Sequence, residues 1–216
     1  MRNDICTIPI NEVFEVVDGC PICRMIHTVE DHVLDYIMGA AMMEPDVRIE
    51  TNRQGFCPDH LGKMMARRGR LPLALMLESH MGETKDIIKN PKKAKELEEN
   101  CFICNKIDWG VSRMVETICR SYENEREFRA LFDAQEHFCL LHYNMLMAVA
   151  DKKHMRRYHG EFAAVLKEKT SAYAEKLQKD LKKYCSMYDY RANGETDWGD
   201  ARFAVERTAE FFGKEI

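Results

Sequence analysis

Cys20-Pro21-Ile22-Cys23 is followed by Cys57-Pro58-Asp59-His60, and Cys101-Phe102-Ile103-Cys104 by Cys139-Leu140-Leu141-His142. The step from Cys20 to Cys101 is 81 residues, as is that from Cys23 to Cys104, while Cys57 to Cys139 and His60 to His142 are each 82. Four ligand-type residues recur at one period with a single-residue slip, which reads as an internal duplication. The neighbours repeat as well. Phe56 and Phe138 precede the two Cys-x2-His motifs, and Met64-Met65 and Met145-Leu146-Met147 follow them. Ile22 and Ile103 stand before the second cysteine of each Cys-x2-Cys. The period exceeds that of common solenoid arrays, so two tandem units are expected.

A Cys-x2-Cys turn brings two sulfurs near one point, and a Cys-x2-His on a first helical turn does the same for a sulfur and an imidazole. Together they make the closed four-ligand set of a structural zinc site. The expected grouping is by repeat: Cys20, Cys23, Cys57 and His60 in one site, Cys101, Cys104, Cys139 and His142 in the other. Each half sits at the start of a predicted helix, where unpaired N–H groups and the helix dipole favour thiolate over thiol. Arg24 and Lys106 stand close by in sequence to offset residual negative charge. Two Zn²⁺ per chain are expected, ahead of an iron–sulfur cluster, which thiolate-rich sets also hold.

With 216 residues the chain buries a substantial core, and 45% hydrophobic with 31% charged residues is ordinary for a globular protein. Eleven glycines and six prolines are too few for an all-β architecture with frequent turns. A net charge of −4 points away from general nucleic-acid binding. The first ten residues lack the apolar run of a signal peptide, and no stretch approaches the ~20 apolar residues of a membrane span. The reading is therefore a cytoplasmic protein without membrane contact. In that reducing setting nine cysteines point to metal or redox chemistry, not to disulfides.

Hydrophobic periodicity gives an all-α fold: two helical repeats, each with a Cys3His site joining helix N-termini, and a long C-terminal helix. Asn11 starts a short helix with Val13, Phe14 and Val17 on one face. Met25, Ile26, Val29, Val33, Tyr36, Ile37 and Ala40 form the stripe of a helix over 24–43. Residues 44–55, with Pro45 and Asn52, read as a loop. Helices are expected at 58–67, 71–89, 92–99, 104–121, 124–135 and 139–150. A long one from His154 carries Met155, Tyr158, Phe162, Val165, Leu166, Ala172, Tyr173, Leu177, Leu181 and Tyr184 inward. After a loop at 193–200, a last helix with Phe203, Thr208, Phe211 and Phe212 folds back. The domains expected are 1–90, 91–190 and a terminal segment, 191–216.

Other signals are weaker. His27 shares a helix face with Cys23, yet Asp108 stands one period on, so a surface or outer-sphere role is favoured. Cys6, Cys119 and Cys185 lack repeat partners and are expected to be buried. Basic clusters follow both Cys-x2-His helices (Arg67, Arg68 and Arg70; Lys152, Lys153, Arg156 and Arg157) and are best read as cations at helix C-termini. The paired methionines are expected mainly in the core. No H-E-x-x-H, G-x-S-x-G, P-loop or G-x-G-x-x-G is present, and a zinc with four protein ligands leaves no position for substrate.

The paired Cys-Pro-Ile-Cys and Phe-Cys-Pro-Asp-His motifs, repeated as Cys-Phe-Ile-Cys and Phe-Cys-Leu-Leu-His, resemble an uncharacterised domain family of anaerobic Gram-positive bacteria. The likeness covers about residues 5–190. It implies no activity and no catalytic residues. The favoured function is thus a non-enzymatic, zinc-stabilised protein that binds a protein or small-molecule partner, in a groove between the units or along the long helix. Second is a redox or metal-handling protein, with iron–sulfur or transferable zinc at the cysteines. Third comes nucleic-acid binding through the paired basic clusters.

Overall fold

A computed structural model describes residues 10–150, 155–188 and 197–213, apart from the side chains of Ala40 and Met42. Among these residues the chain is all-α, with eleven helices: α1 Ile10–Glu15, α2 Pro21–Met38, α3 Pro45–Gln54, α4 Pro58–Ala66, α5 Arg70–Ile87, α6 Pro91–Glu98, α7 Phe102–Asn124, α8 Arg126–Ala134, α9 Leu140–Val149, α10 His159–Met187 and α11 Ala204–Phe211. Short 3-10 turns cover Ala40–Met43 and Gly199–Phe203.

The expected loop at 44–55 is a helix. Pro45 occupies the first helical position of α3, where its missing N–H costs nothing, so it starts the segment that it was read as breaking. Gly55 closes α3 with φ +67 and donates its N–H to the Thr51 carbonyl over 2.8 Å. A Cβ there would also sit 2.9 Å from Leu97 Cδ1, so the position requires glycine.

The chain divides into two compact units, residues 26–112 and residues 1–25 with 113–216. This departs from the consecutive domains at 1–90 and 91–190, because α2 and α7 each begin in one unit and continue in the other. In residues 26–112, α5 packs against α3, α4 and α6. Leu34, Ile37, Met64, Leu73, Met76 and Ile103 are buried there with Phe102, a mainly aliphatic and methionine core. The other unit packs α1 on α8 and α10 on α9 and α11. Its core is aromatic: Phe14, Tyr122, Phe128, Phe132, Phe138 and Phe162 are fully buried. Their ring centroids lie 4.8–5.8 Å apart in tilted, stacked and edge-on pairs.

Several inward assignments shift by a position or a turn. On α2 Leu34 is buried, whereas Tyr36 is exposed and donates its hydroxyl to Glu44 at 3.0 Å. Val17 lies past the end of α1 and is exposed. On α10 the buried stripe runs Phe162, Leu166, Thr170, Tyr173, Leu177. Ala172 faces solvent, and the burial stops short of Leu181 and Tyr184. Of the terminal phenylalanines, Phe211 packs on Tyr173, while Phe203 and Phe212 are exposed. Cys119 is buried as expected, Cys185 is exposed, and Cys6 lies outside the described residues. No described helix is long and apolar enough to cross a membrane.

Candidate metal centres

The eight ligand-type residues gather into two groups of four, but not by repeat. Cys20 and Cys23 meet Cys139 and His142; Cys57 and His60 meet Cys101 and Cys104. The expected grouping within each repeat is therefore exchanged. Each group lies inside one compact unit, the first in residues 1–25 with 113–216 and the second in 26–112. Each pairs a Cys-x2-Cys with the Cys-x2-His that does not follow it next in the chain: Cys20 and Cys23 with Cys139 and His142, and Cys101 and Cys104 with Cys57 and His60. The cause is the long helix after each Cys-x2-Cys. An α-helix rises about 1.5 Å per residue, so α2, with 18 residues, carries the chain away from Cys20 before Cys57 is reached.

All four half-sites share one local geometry. The first cysteine's carbonyl accepts the opening hydrogen bond of a helix: Arg24 N to Cys20 O, Leu61 N to Cys57 O, Asn105 N to Cys101 O and Tyr143 N to Cys139 O. The second ligand then falls on the first turn, three residues on. Cys57 and Cys139 have nearly identical backbones, at φ −70, ψ 161 and φ −68, ψ 160. In residues 26–112 the two half-sites are also joined directly, by Phe102 N–H donating to Gly55 O at 2.9 Å.

Within each group the four ligand atoms lie within 4.8 Å of one another. His142 Nδ1 is 3.0 Å from Cys139 Sγ, 3.3 Å from Cys23 Sγ and 3.6 Å from Cys20 Sγ, and Cys23 and Cys139 sulfurs are 3.9 Å apart. His60 Nδ1 is 3.1 Å from Cys57 Sγ, 3.3 Å from Cys104 Sγ and 3.4 Å from Cys101 Sγ, with 4.0 Å between the Cys57 and Cys104 sulfurs. Metal–sulfur bonds of about 2.3 Å and metal–nitrogen bonds of about 2.0–2.1 Å at tetrahedral angles give edges of about 3.8 Å for S···S and about 3.5 Å for S···N. The observed separations are close to the edges of such a tetrahedron. They are far from the about 2.05 Å of a disulfide.

The electrostatics suit a cation. Burial pushes the Cys101 thiol up, but hydrogen bonds from His60 and from the Cys104 and Cys57 backbone N–H groups outweigh it and bring it to about 6. Partial burial and the neighbouring Cys101 thiolate push Cys104 up to about 12. The hydrogen bond to Cys101 raises His60 to about 9 against the opposing effect of burial. In the other group, burial lowers His142, but its bonds to Cys139 and Cys20 raise it to about 9. Cys20 is likewise lowered, its hydrogen bonds to Cys139, Cys23 and His142 overcoming burial, and Cys23 is raised by its sulfur neighbours. In both groups one thiol is thus favoured as thiolate beside a histidine held toward its protonated form, and a further thiol is held toward its protonated form.

Beyond the ligands the two centres differ. His60 Nε2 lies 2.8 Å from Glu30 Oε1, and Lys63 Nζ donates to both Glu30 oxygens at 2.7 Å. Sequence reasoning missed Glu30; its signal is an acidic residue on the apolar face of α2, between Ile26 and Val33. His142 Nε2 is buried with no hydrogen-bond partner among the described residues. Near that centre Arg24 spans the α1 terminus, donating to the carbonyls of Val13 at 3.0 Å, Val16 at 2.6 Å and Gly19 at 3.2 Å and to Gln135 Oε1 at 3.0 Å. Burial lowers the pKa of its guanidinium, and the nearby Cys20, Asp18 and Cys23 oppose that shift. Lys106 lies over the Phe102 ring instead, 5.3 Å from its centroid.

His27 belongs to neither ligand group. Arg67 is paired with Asp31 and Asp35, which neutralises part of one basic cluster. Lys152 and Lys153 of the other lie outside the described residues. Met25, Met64, Met76, Met114 and Met155 are core residues, whereas Met43, Met65 and Met81 are exposed. Residues 26–112 also hold a cleft of about 670 Å³ with Arg53, Glu83, Lys93, Glu96, Asn100 and Asn105 on its walls.

The chain belongs, over residues 1–216, to a family of unknown function, DUF6062. No curated protein and no solved structure matches it.

Proposed function

We propose that this protein is a non-enzymatic binding scaffold in which two Zn²⁺ ions, one per unit, hold the helices in place. The observation that carries the reading is the coincidence of four soft or borderline ligand atoms with the edges of a single-ion tetrahedron, twice over. An iron–sulfur cluster spreads its ligands over two or more irons, which needs sulfurs further apart than these. Four protein ligands leave no open coordination position, so the ions supply stability and not chemistry at a substrate. Structural zinc contributes about 10–16 kcal/mol in small domains, on the scale of a whole domain's stability. The scaffold then presents a binding surface, for which the mixed-charge cleft beside Asn105 is a candidate, to a protein or small molecule.

Elemental analysis of purified protein tests this reading. Two zinc ions per chain, no visible absorbance, and loss of helical circular dichroism on chelation are expected. A coloured protein containing iron would replace it with the metal-handling alternative, which the partial exposure of Cys23, Cys57 and Cys104 favours. Protein that neither contains nor takes up metal would remove both.

A further inference from the structure

We infer that Glu30, fixed by Lys63, positions the His60 imidazole as a metal ligand and makes the centre of Cys57, His60, Cys101 and Cys104 the tighter of the two. This rests on the metal reading above and adds a rank order to it. A neutral histidine that ligates through Nδ1 carries its proton on Nε2, and that N–H needs an acceptor when buried. Glu30 Oε1 provides one at 2.8 Å, and Glu30 is itself only 8% exposed. Lys63 donates to both of its oxygens at 2.7 Å each, which favours the orientation that faces His60. Such carboxylate partners orient the ring and raise its basicity toward the ion.

The other centre lacks the device. Ligation by His142 Nδ1 places the proton on Nε2, a buried atom without a partner among the described residues. The motif spacing shows the same asymmetry in the sequence. The position 81 residues after Glu30 is Val111, and the position 82 after Lys63 is Met145. A carboxylate–ammonium pair in one copy is thus matched by two apolar side chains in the other, neither able to accept from an imidazole.

Zinc-loaded full-length protein is titrated with a chelator, pulse-alkylated at each step and mapped by peptide. Cys20, Cys23 and Cys139 are expected to become reactive at chelator activities at least about tenfold lower than Cys57, Cys101 and Cys104. Glu30→Gln should lower the affinity of the second group about 10–100-fold and leave the first group's midpoint in place. Glu30→Asp, which keeps the charge, should retain more of the affinity. Lys63 is 40% exposed and can turn to water, so the substitution does not strand a buried cation. Should Glu30→Gln fail to fold, Lys63→Met provides the second variant; it should move the same midpoint in the same direction by less. Equal midpoints in the wild type, or a Glu30→Gln protein whose midpoints match it, would overturn the inference with two zinc ions per chain still in place. Absence of metal from the wild type would instead overturn the reading beneath it.

Discussion

The two Cys3His groups have the same residue types, the same helix starts and nearly superimposable N-cap backbones at Cys57 and Cys139, yet their surroundings differ. One is backed by stacked aromatic rings, Phe138 immediately before Cys139 lying 4.8 Å from Phe132 of α8. The other sits in a mainly aliphatic and methionine core with Phe102 as a buried ring, and has the Glu30–Lys63 ion pair behind its histidine. Ligand spacing thus specifies a coordination sphere and little else. What an ion experiences beyond that sphere depends on helices the motif does not reach.

The largest effect expected concerns the exchanged grouping. Cys57→Ser removes a ligand shared with Cys101 and Cys104, so those two should become reactive to alkylation while Cys20 and Cys23 stay protected. One zinc per chain should be lost. Grouping within each repeat predicts the opposite, with Cys20 and Cys23 unmasked. Cys139→Ser gives the reciprocal experiment. Protection of Cys101 and Cys104 in Cys57→Ser protein would break the comparison at its root.

Next come the cores. Phe132 contacts four other rings and is fully buried. Phe132→Ala should cost about 3–5 kcal/mol, and Met76→Ala in the other unit about 2–5 kcal/mol. Urea unfolding of metal-loaded protein, followed by cysteine reactivity, should show the first variant releasing Cys139 early and the second releasing Cys57. If both variants unmask all six cysteines at one urea concentration, the units do not unfold independently.

Acidity acts on both centres in the same sense, by about 100-fold in affinity per pH unit where two protons are displaced. Near pH 7.5 the metal-free centre of residues 26–112 holds a proton on His60, whose value is about 9, and one on Cys104, at about 12. Cys101, at about 6, is already a thiolate. Metal binding must displace at least those two protons, so affinity rises with pH up to about 9 and less steeply beyond. Below about 6 Cys101 also protonates and the loss steepens. Calorimetry in buffers of different ionisation enthalpy should show two or more protons released per ion; a buffer-independent enthalpy contradicts the assignment.

Much of this was legible in the sequence. The eight residues of the two groups, and the helix starts that present them, follow from spacing and periodicity. How the half-sites associate did not follow, because each Cys-x2-Cys is equally compatible with either Cys-x2-His. Only the path of α2 and α7 through both units decides it. Pro45 misled because proline breaks a helix interior but suits a first turn. Cys185 and Ala172 show the limit of the apolar stripe on α10, which outruns the elements that cover it.

The smallest effect probes the route into Cys101. Asn90 caps α6 with its side chain, Oδ1 accepting from Lys92 N at 3.1 Å and Lys93 N at 3.4 Å. The starts of α8, α9, α10 and α11 in the other unit show no side-chain cap, nor do those of α3, α4 and α5. Because α6 buries none of its residues, packing does little to hold it, and the cap matters correspondingly more. Asn90→Ala should cost about 1 kcal/mol and speed amide exchange in the first turns of α6 about fivefold. Zinc retention at Cys101 should not change, since Phe102 N–H to Gly55 O anchors that half-site downstream of the helix. Faster exchange accompanied by loss of the ion would show instead that α6, and not the Gly55 anchor, holds Cys101 in position.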